Sequence, residues 1–203
     1  YAPLLKEEEK KYENFSKSIR RRAATIGGHN MDDYPLKMHV FNRARLIKNS
    51  KNRIPYGVDL IQKYKRESWI VFTENKKQAK EFNKIINTKG FKSALYNTDL
   101  DSGERLENLN KFKKADLNVL VTCTALDEGF DMPEADGALI LSASSSKRQR
   151  VQRMGRVLRI TENKPNALIV TVYSSKTEFD KLMEEAKRYH KEGVPVSWKR
   201  QDR

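Results

Sequence analysis

A chain of 203 residues with 37% hydrophobic content can bury one sizeable core, which excludes a fully disordered protein. It carries 41 Lys and Arg against 27 Asp and Glu, and the formal charge of +14 indicates a polyanionic partner, above all nucleic acid, unless the lysines only keep the surface soluble. A single cysteine, Cys123, excludes an internal disulfide and a multi-cysteine zinc site, and no apolar run approaches the roughly 20 residues of a membrane span.

The first 66 residues predict a basic helical arm. They contain 16 Lys and Arg against 7 Asp and Glu, and their apolar residues recur at helical spacing. Such an arm cannot bury much surface alone, so we expect it to pack on or link to the domain that follows. Residues 20–22 are three consecutive arginines, which offer either a phosphate contact or a solvated helix face.

From Ser68 onward, short apolar strands alternate with amphipathic helices. Strands are predicted at residues 69–72, 93–96, 119–121, 137–141 and 167–173. Asp101 and Glu104 open a helix at capping-box spacing, with Leu106, Leu109 and Phe112 expected inward. This alternation predicts an α/β fold, a mostly parallel sheet with helices on both faces, preceded by the helical arm. The expected domains are the arm at 1–66, the sheet domain at 67–191 and a basic tail at 192–203.

The chain holds no phosphate-binding motif that is complete in itself. A glycine-rich loop followed by Lys and Ser or Thr would cradle a triphosphate, but the dipeptide Gly-Lys does not occur. Asp127 and Glu128 superficially match an acidic pair that binds Mg²⁺ at a strand end, although the residues before them make a poor apolar strand. We therefore predict no metal site in this chain.

A cluster of basic residues follows the fourth predicted strand. Its members fall within thirteen residues and are Lys147, Arg148, Arg150, Arg153, Arg156 and Arg159. Arg153, Arg156 and Arg159 are three residues apart, so they share one side of a helix or of its exit. A guanidinium matches phosphate oxygens bidentately, and so much cationic charge is unfavourable without anions. The cluster predicts a phosphate site, with a solvated basic helix as the alternative.

The ordered combination of these segments resembles superfamily 2 helicases. Residues 119–133, which include Asp-Glu-Gly-Phe-Asp at 127–131, look like motif V. Residues 152–159, Gln-Arg-Met-Gly-Arg-Val-Leu-Arg, look like motif VI, and residues 69–75 suggest motif IV. Residues 102–105, Ser-Gly-Glu-Arg, match the segment before motif V. The similarity covers about residues 68–175 and is closest to the RadD-like and XPB-like branch, which carries a similar helical arm.

In that family this region is the second RecA-like domain of a two-domain motor. The resemblance therefore implies a RecA-like fold and an ATP-dependent helicase of which this chain holds half of the active site. The phosphate loop and the Mg²⁺ ligands for ATP are expected on an upstream RecA-like domain of the same protein. Arg156 and Arg159 would be arginine fingers that reach the γ-phosphate, and Gln152 would help to position them.

Three residues of the motif V turn are expected against the nucleotide, namely Glu128, Gly129 and Asp131. Gly129 would let the backbone approach the nucleotide. Asp131 would accept a hydrogen bond from a ribose hydroxyl or hold a finger in place. The alternative for Asp131 is a carboxylate that only caps a turn before Pro133.

The resemblance also implies a nucleic-acid face at the ends of the same strands. The residues expected to contact backbone phosphates are Thr73, Asn75, Thr98, Thr122, Thr124, Lys147 and Arg148. Many relatives place a motif V threonine where this chain has Cys123. Adjacent strand residues point opposite ways, so whether Thr122 or Thr124 takes over stays open. Cys123 itself is expected to be a packing residue rather than a nucleophile.

We predict the C-terminal motor lobe of an ATP-dependent helicase or translocase that acts on nucleic acid, on DNA rather than RNA. The alternatives are a non-catalytic nucleic-acid-binding module derived from such a lobe and an unrelated phosphate-handling α/β domain. The first residue, Tyr1, favours a piece of a longer protein. The expected location is intracellular, cytoplasmic in a bacterium or phage and nuclear in a eukaryote, with no membrane partner.

Overall fold

A computed structural model of the chain describes residues 1–123, 135–142, 168–191, 193 and 195–198. The chain divides into two compact units, one formed by Tyr1–Asn52 with Tyr173–Arg203 and the other by Arg53–Val172. We call these the arm unit and the sheet unit. The division into domains at 1–66, 67–191 and 192–203 stays a prediction. Among the described helices, none is long and apolar enough to cross a membrane.

The arm unit contains α1 (Lys6–Thr25), α2 (Tyr34–Lys48) and, after the sheet unit in sequence, α6 (Lys176–Lys191). A small buried cluster joins α1 to α2 and consists of Ile19, Ala23 and Leu36. Asp33 caps α2, because its carboxylate accepts from the backbone N–H of Leu36 at 2.9 Å. The same carboxylate pairs with Arg22 of α1 at 2.6 Å. Apolar burial and one ion pair therefore hold the two helices together.

An aromatic cluster lies elsewhere in the arm unit. The ring centroids of Tyr173 and Phe179 are 5.3 Å apart, and those of Phe179 and Trp198 are 5.0 Å apart. Phe179 belongs to α6, so the contact with Phe179 packs Trp198 against that helix. Trp198 nevertheless remains 40% exposed.

Five strands form one parallel sheet within the described part of the sheet unit. They are β1 (Trp69–Thr73), β2 (Ser93–Tyr96), β3 (Val119–Cys123), β4 (Gly137–Ile140) and β5 (Leu168–Thr171). Their order across the sheet is β2-β3-β1-β4-β5, and each neighbouring pair is parallel. The predicted α/β fold with a parallel sheet is thus confirmed, and β1 lies at the centre of the sheet.

The helices described in the sheet unit are α3 (Arg53–Tyr64), α4 (Lys76–Thr88) and α5 (Ser102–Lys113). In sequence α4 connects β1 to β2, and α5 connects β2 back to β3, which lies between them. The chain therefore crosses the sheet in one direction and then returns. Because crossovers between parallel strands are right-handed, α4 and α5 cover opposite faces of the sheet.

One close contact in the core explains a glycine. Trp69 of β1 is fully buried and lies opposite Gly137 of β4 in the register of the two strands. A Cβ atom on Gly137 would lie only 2.6 Å from the Trp69 ring. The indole therefore takes the space of the missing side chain, which is the usual reason for a glycine inside a strand.

The prediction is wrong for one core residue of α5. Leu106 of α5 is 56% exposed, whereas Leu109 and Phe112 are buried as predicted. Asn108 on the same helix donates to the carbonyl oxygen of Leu95 in β2 at 3.1 Å. The side of α5 that faces the sheet is therefore set by residues 108, 109 and 112, and Leu106 lies roughly a third of a turn away from the centre of that side.

Candidate functional site

The carboxyl ends of all five strands meet at one edge of the sheet, because the strands are parallel. Polar side chains close this edge. Thr73 ends β1, Thr122 and Cys123 end β3, Asn97 follows β2, and Ser142 lies two residues after β4. We call this row of residues the carboxyl edge. In open α/β sheets, ligands bind outside the carboxyl ends of the strands.

Thr73 ties β1 to β3. Its side chain is 1% exposed, and its hydroxyl lies 3.0 Å from the carbonyl oxygen of Thr122 and 3.2 Å from that of Asn75. A hydroxyl has one proton to donate, so it donates to only one of these two carbonyl oxygens at a time. The expected contact of Thr73 with a phosphate stays a prediction. In that contact the hydroxyl would donate to a phosphate oxygen instead of to a carbonyl oxygen.

Asn75 starts α4. Its side-chain oxygen accepts from the backbone N–H of Gln78 at 3.0 Å, which is the bond of a helix N-cap. The positive end of the helix dipole therefore lies at the carboxyl edge. Lys76, Lys77 and Lys80 are exposed in the first turns of the same helix.

The turn after β2 brings Thr98 to the surface. Asn97 is fully buried, and its side-chain oxygen accepts from the backbone N–H of Asp99 at 3.0 Å. Asp99 pairs with Lys76 and, at 3.1 Å, with Lys80. The hydrogen bonds from Lys76 and then Lys80 hold the pKa of Asp99 below its ordinary value. The exposed Thr98 therefore adjoins a carboxylate that is held by two lysines of α4.

Thr122 and Cys123 point to opposite sides of the sheet. Thr122 lies opposite Phe72 and Tyr96 in register, whereas Cys123 lies opposite Thr73. Both side chains are buried, and the hydroxyl of Thr122 has no hydrogen-bond partner within the described part of the chain. A buried hydroxyl without a partner costs stability, so Thr122 is the member of this pair with an unused polar group. The burial of Cys123 agrees with its expected packing role.

Side chains that the sequence analysis did not single out hold the β4 end of the carboxyl edge. Arg53 of α3 is fully buried, and its Nη1 donates to the carbonyl oxygens of Leu141 at 2.7 Å and Val172 at 2.8 Å. Gln78 of α4 accepts a hydrogen bond from the hydroxyl of Ser142 at 3.2 Å. The sequence signal for Arg53 is a charge on the apolar stripe of α3, but nothing in the sequence identifies its acceptors.

The remaining expected site residues lie outside the described residues. They are Thr124, Glu128, Gly129, Asp131, Lys147, Arg148, Gln152, Arg156 and Arg159. Of the expected nucleic-acid contacts, the structure brings Thr73, Asn75 and Thr122 together at neighbouring strand ends and places Thr98 in the next turn along the edge. Among the described residues, no group of three or more His, Cys, Asp or Glu could hold a metal ion.

A parallel sheet of this order, with helices on both faces and a polar carboxyl edge, defines the class of RecA-like α/β domains. The solved structure of the C-terminal domain of the DEAD-box protein Dbp5 has the same fold. It is similar with a TM-score of 0.62 and 21% identity, over 71% of this chain and 82% of that chain.

The family model of the helicase conserved C-terminal domain matches residues 52–161. The chain belongs to this family, and it contains the C-terminal domain of a superfamily 2 helicase. The DNA 3'-5' translocase XPB2 of Sulfurisphaera tokodaii is 30% identical over 193 residues, which is 87% of this chain and 42% of that protein. The ATP-dependent RNA helicase DBP3 of Ajellomyces capsulatus is 28% identical over 166 residues, which is 78% of this chain and 32% of that protein. The chain spans less than half the length of these relatives.

Proposed function

We propose that the chain is the C-terminal motor lobe of an ATP-dependent nucleic-acid helicase or translocase, and that it supplies half of a catalytic site. The observation that carries this proposal is the family match over residues 52–161, because the matched segment contains the arginine cluster while the chain lacks a phosphate loop. Arginines that contact phosphate in a domain without a phosphate loop complete a nucleotide site whose phosphate loop lies on another domain.

The catalytic residues of this half are Arg156 and Arg159, with Gln152 as their positioning neighbour. An arginine finger stabilises the charge that develops on the transferred phosphoryl group, typically by a factor of roughly 10³ to 10⁵ in rate. Glu128, Gly129 and Asp131 line the nucleotide from the motif V turn. Closure of the cleft between the two lobes brings the fingers to the γ-phosphate, and reopening releases it.

The residues of this chain suit the γ-phosphate of ATP but not its Mg²⁺ ion. The arginine cluster suits the γ-phosphate, whereas the sequence has no Gly-Lys dipeptide and the described residues offer no acidic cluster for the metal. We therefore assign the phosphate loop and the Mg²⁺ ligands to an upstream RecA-like domain of the same protein. That domain is the proposed intramolecular partner.

The proposed nucleic-acid grip occupies part of the carboxyl edge and does not include Ser142. Exposed Thr98 and the capping residue Asn75 lie beside the lysines of α4, and threonine and asparagine side chains bind phosphates without reading sequence. Thr73, Thr122 and Thr124 continue the grip along β1 and β3. Lys147 and Arg148 extend it after β4.

The division of the catalytic site has a direct test. We expect the chain alone to show almost no ATP hydrolysis, and we expect nucleic-acid-stimulated hydrolysis once it is joined to its upstream motor domain. Arg156→Ala should lower the stimulated rate by about 10³-fold or more, because it removes charge stabilisation of the transition state. Steady-state ATPase assays with and without a single-stranded oligonucleotide measure both rates.

Lys114→Ala is a matched control, because it removes an exposed cation that directly follows α5, before the amino end of β3. Appreciable hydrolysis by the chain alone that disappears in Arg156→Ala would contradict the division. Absence of stimulation in the joined protein would favour the second candidate, a non-catalytic nucleic-acid-binding module. That candidate rests on the charge of +14, which suits binding without hydrolysis.

A further inference from the structure

Gln78 joins two parts of the carboxyl edge. The residue lies in the first turn of α4 and is 6% exposed. Its side-chain oxygen accepts from the backbone N–H of Glu74 at 3.0 Å and from the hydroxyl of Ser142 at 3.2 Å. One buried oxygen therefore links the turn after β1 to the chain that leaves β4, although Gln78 and Ser142 are 64 residues apart.

The two linked segments have different tasks in the proposed function. Glu74 stands between Thr73 and Asn75, both of which are proposed contacts to the nucleic-acid backbone. Ser142 directly precedes residues 143–167, the part of the sequence that contains Gln152, Arg156 and Arg159. Gln78 thus bonds to a backbone amide on the nucleic-acid side and to a hydroxyl at the start of the segment with the proposed fingers.

A helix cap alone does not account for this arrangement. Asn75 accepts from the backbone N–H of Gln78 and Gln78 accepts from the backbone N–H of Glu74, so the cap is complete within five residues. The bond from Ser142 is an addition that reaches across to β4. Nearby, the backbone N–H of Leu141 donates to the carbonyl oxygen of Phe72 at 2.9 Å, which continues the pairing of β1 with β4 to Leu141, the residue before Ser142.

We propose that Gln78 is a positioning residue that couples nucleic-acid contact at the turn after β1 to the segment that carries the arginine fingers. This inference rests on the proposed function. Any shift of Glu74 must either carry the Gln78 oxygen with it or break a hydrogen bond to a side chain that is only 6% exposed, and the second outcome is costly. Nucleic acid bound at the turn therefore biases the position of Ser142.

Two variants separate the hydrogen bonds of Gln78 from its volume. Gln78→Met keeps a similar volume and removes the accepting oxygen, whereas Gln78→Glu keeps an acceptor that the N-terminus of α4 favours as a carboxylate. Ser142→Ala removes the donor from the other side of the same bond. Each variant is prepared in the protein that includes the upstream motor domain, and ATP hydrolysis is measured without and with a saturating single-stranded oligonucleotide.

We expect Gln78→Met and Ser142→Ala to lower the ratio of stimulated to basal hydrolysis by about 2- to 30-fold. Basal hydrolysis and oligonucleotide affinity should stay at their wild-type values, because neither residue belongs to the proposed nucleotide or nucleic-acid contacts. Gln78→Glu should retain most of the stimulation. The double variant should be no worse than Gln78→Met alone, since both changes break one link.

Each other outcome decides against one proposal or both. Equal stimulation of wild type and Gln78→Met overturns the coupling role and leaves the proposed function intact. Equal loss of basal and stimulated rates assigns Gln78 a merely structural role. Lack of stimulation in the wild type overturns the proposed function together with this inference. If Gln78→Met does not fold, as judged by circular dichroism, Ser142→Ala decides by the same comparison.

Discussion

The charge beside the exposed Thr98 depends on a single carboxylate. Asp99 pairs with Lys76 and Lys80, and these bonds lower its pKa from the ordinary value. A carboxyl group with a lowered pKa keeps its ion pairs above the ordinary carboxyl pKa and loses them as the pH falls through the lowered value. At neutral pH, therefore, Asp99 offsets part of the positive charge that the turn and α4 present to a polyanion.

We expect Asp99→Asn to tighten the binding of a single-stranded oligonucleotide. The change releases Lys76 and Lys80 from their common acid, so that about one further phosphate contact forms and the slope of log K against log salt becomes steeper by about 0.7. Fluorescence anisotropy titrations of a labelled oligonucleotide at several salt concentrations measure both quantities.

Asp59→Asn supplies the control, because Asp59 is an exposed acid of α3 and its loss changes the net charge by the same amount. An equal gain in affinity from both substitutions would trace the effect to net charge alone. Unchanged affinity and slope in Asp99→Asn would remove the turn after β2 from the nucleic-acid grip.

Single residues of the site differ in how well sequence predicts them. The resemblance places Thr73, Asn75 and Thr98 at or just after strand ends, where the structure has them, and their contacts with phosphate stay a prediction. The sequence does not identify Gln78, because its bond to Ser142 exists only when β4 lies beside β1. No local pattern encodes that contact between residues 64 positions apart.

At the scale of elements, the apolar runs predict every described strand of the sheet. Strands covered on both faces read as continuous apolar segments, and helices of amphipathic period separate them. The predicted ends are less accurate, since β1 extends to Thr73 and β3 to Cys123. These additional residues are polar or small, yet they are buried by pairing and by the bond of Thr73 to Thr122, which only the assembled sheet supplies.

Packing between β1 and β4 gives a prediction for one element pair. Gly137→Ala should destabilise the sheet unit by about 1–3 kcal/mol, because the new methyl group collides with the buried Trp69 ring and the rigid indole has no space to move. Urea unfolding followed by circular dichroism measures the loss.

Gly103→Ala makes the same chemical change at a tolerant position. Gly103 lies in the first turn of α5, where a Cβ would approach only the side chain of Asp101, and alanine favours the helix. This control should be neutral or slightly stabilising. Equal stability of Gly137→Ala and wild type would mean that β1 and β4 pack less closely than the structure shows.

At the scale of the whole molecule, alternation of strands and helices predicts a parallel sheet but not the order of its strands. The order β2-β3-β1-β4-β5 places β1 in the centre and brings the ends of β3 and β4 to either side of Thr73. The resemblance to superfamily 2 helicases adds a RecA-like fold to this prediction, and the family match over residues 52–161 confirms that resemblance. The proposed catalytic residues Gln152, Arg156 and Arg159 lie outside the described residues, and their proposed roles come from the sequence.

Whether the complete protein acts on DNA or on RNA is a prediction. The relatives include both a DNA translocase, XPB2, and an RNA helicase, DBP3. The expectation of DNA rests on the resemblance of residues 68–175 to the RadD-like and XPB-like branch. We expect single-stranded or forked DNA to stimulate hydrolysis by the two-lobed protein more strongly than RNA of the same sequence and length. ATPase assays at equal ionic strength make the comparison, since affinity for nucleic acid depends on salt. Equal stimulation by DNA and RNA would contradict this prediction.

The two tryptophans make the chain its own optical reporter. Trp69 is fully buried in β1 of the sheet unit, whereas Trp198 is partly exposed in the arm unit, and the sequence contains no others. Indole emission shifts to longer wavelength as water reaches the ring, so the two residues emit from different surroundings in the folded chain. Replacing either one with phenylalanine leaves a single emitter, and the denaturation of each unit then has its own spectral record without an attached dye.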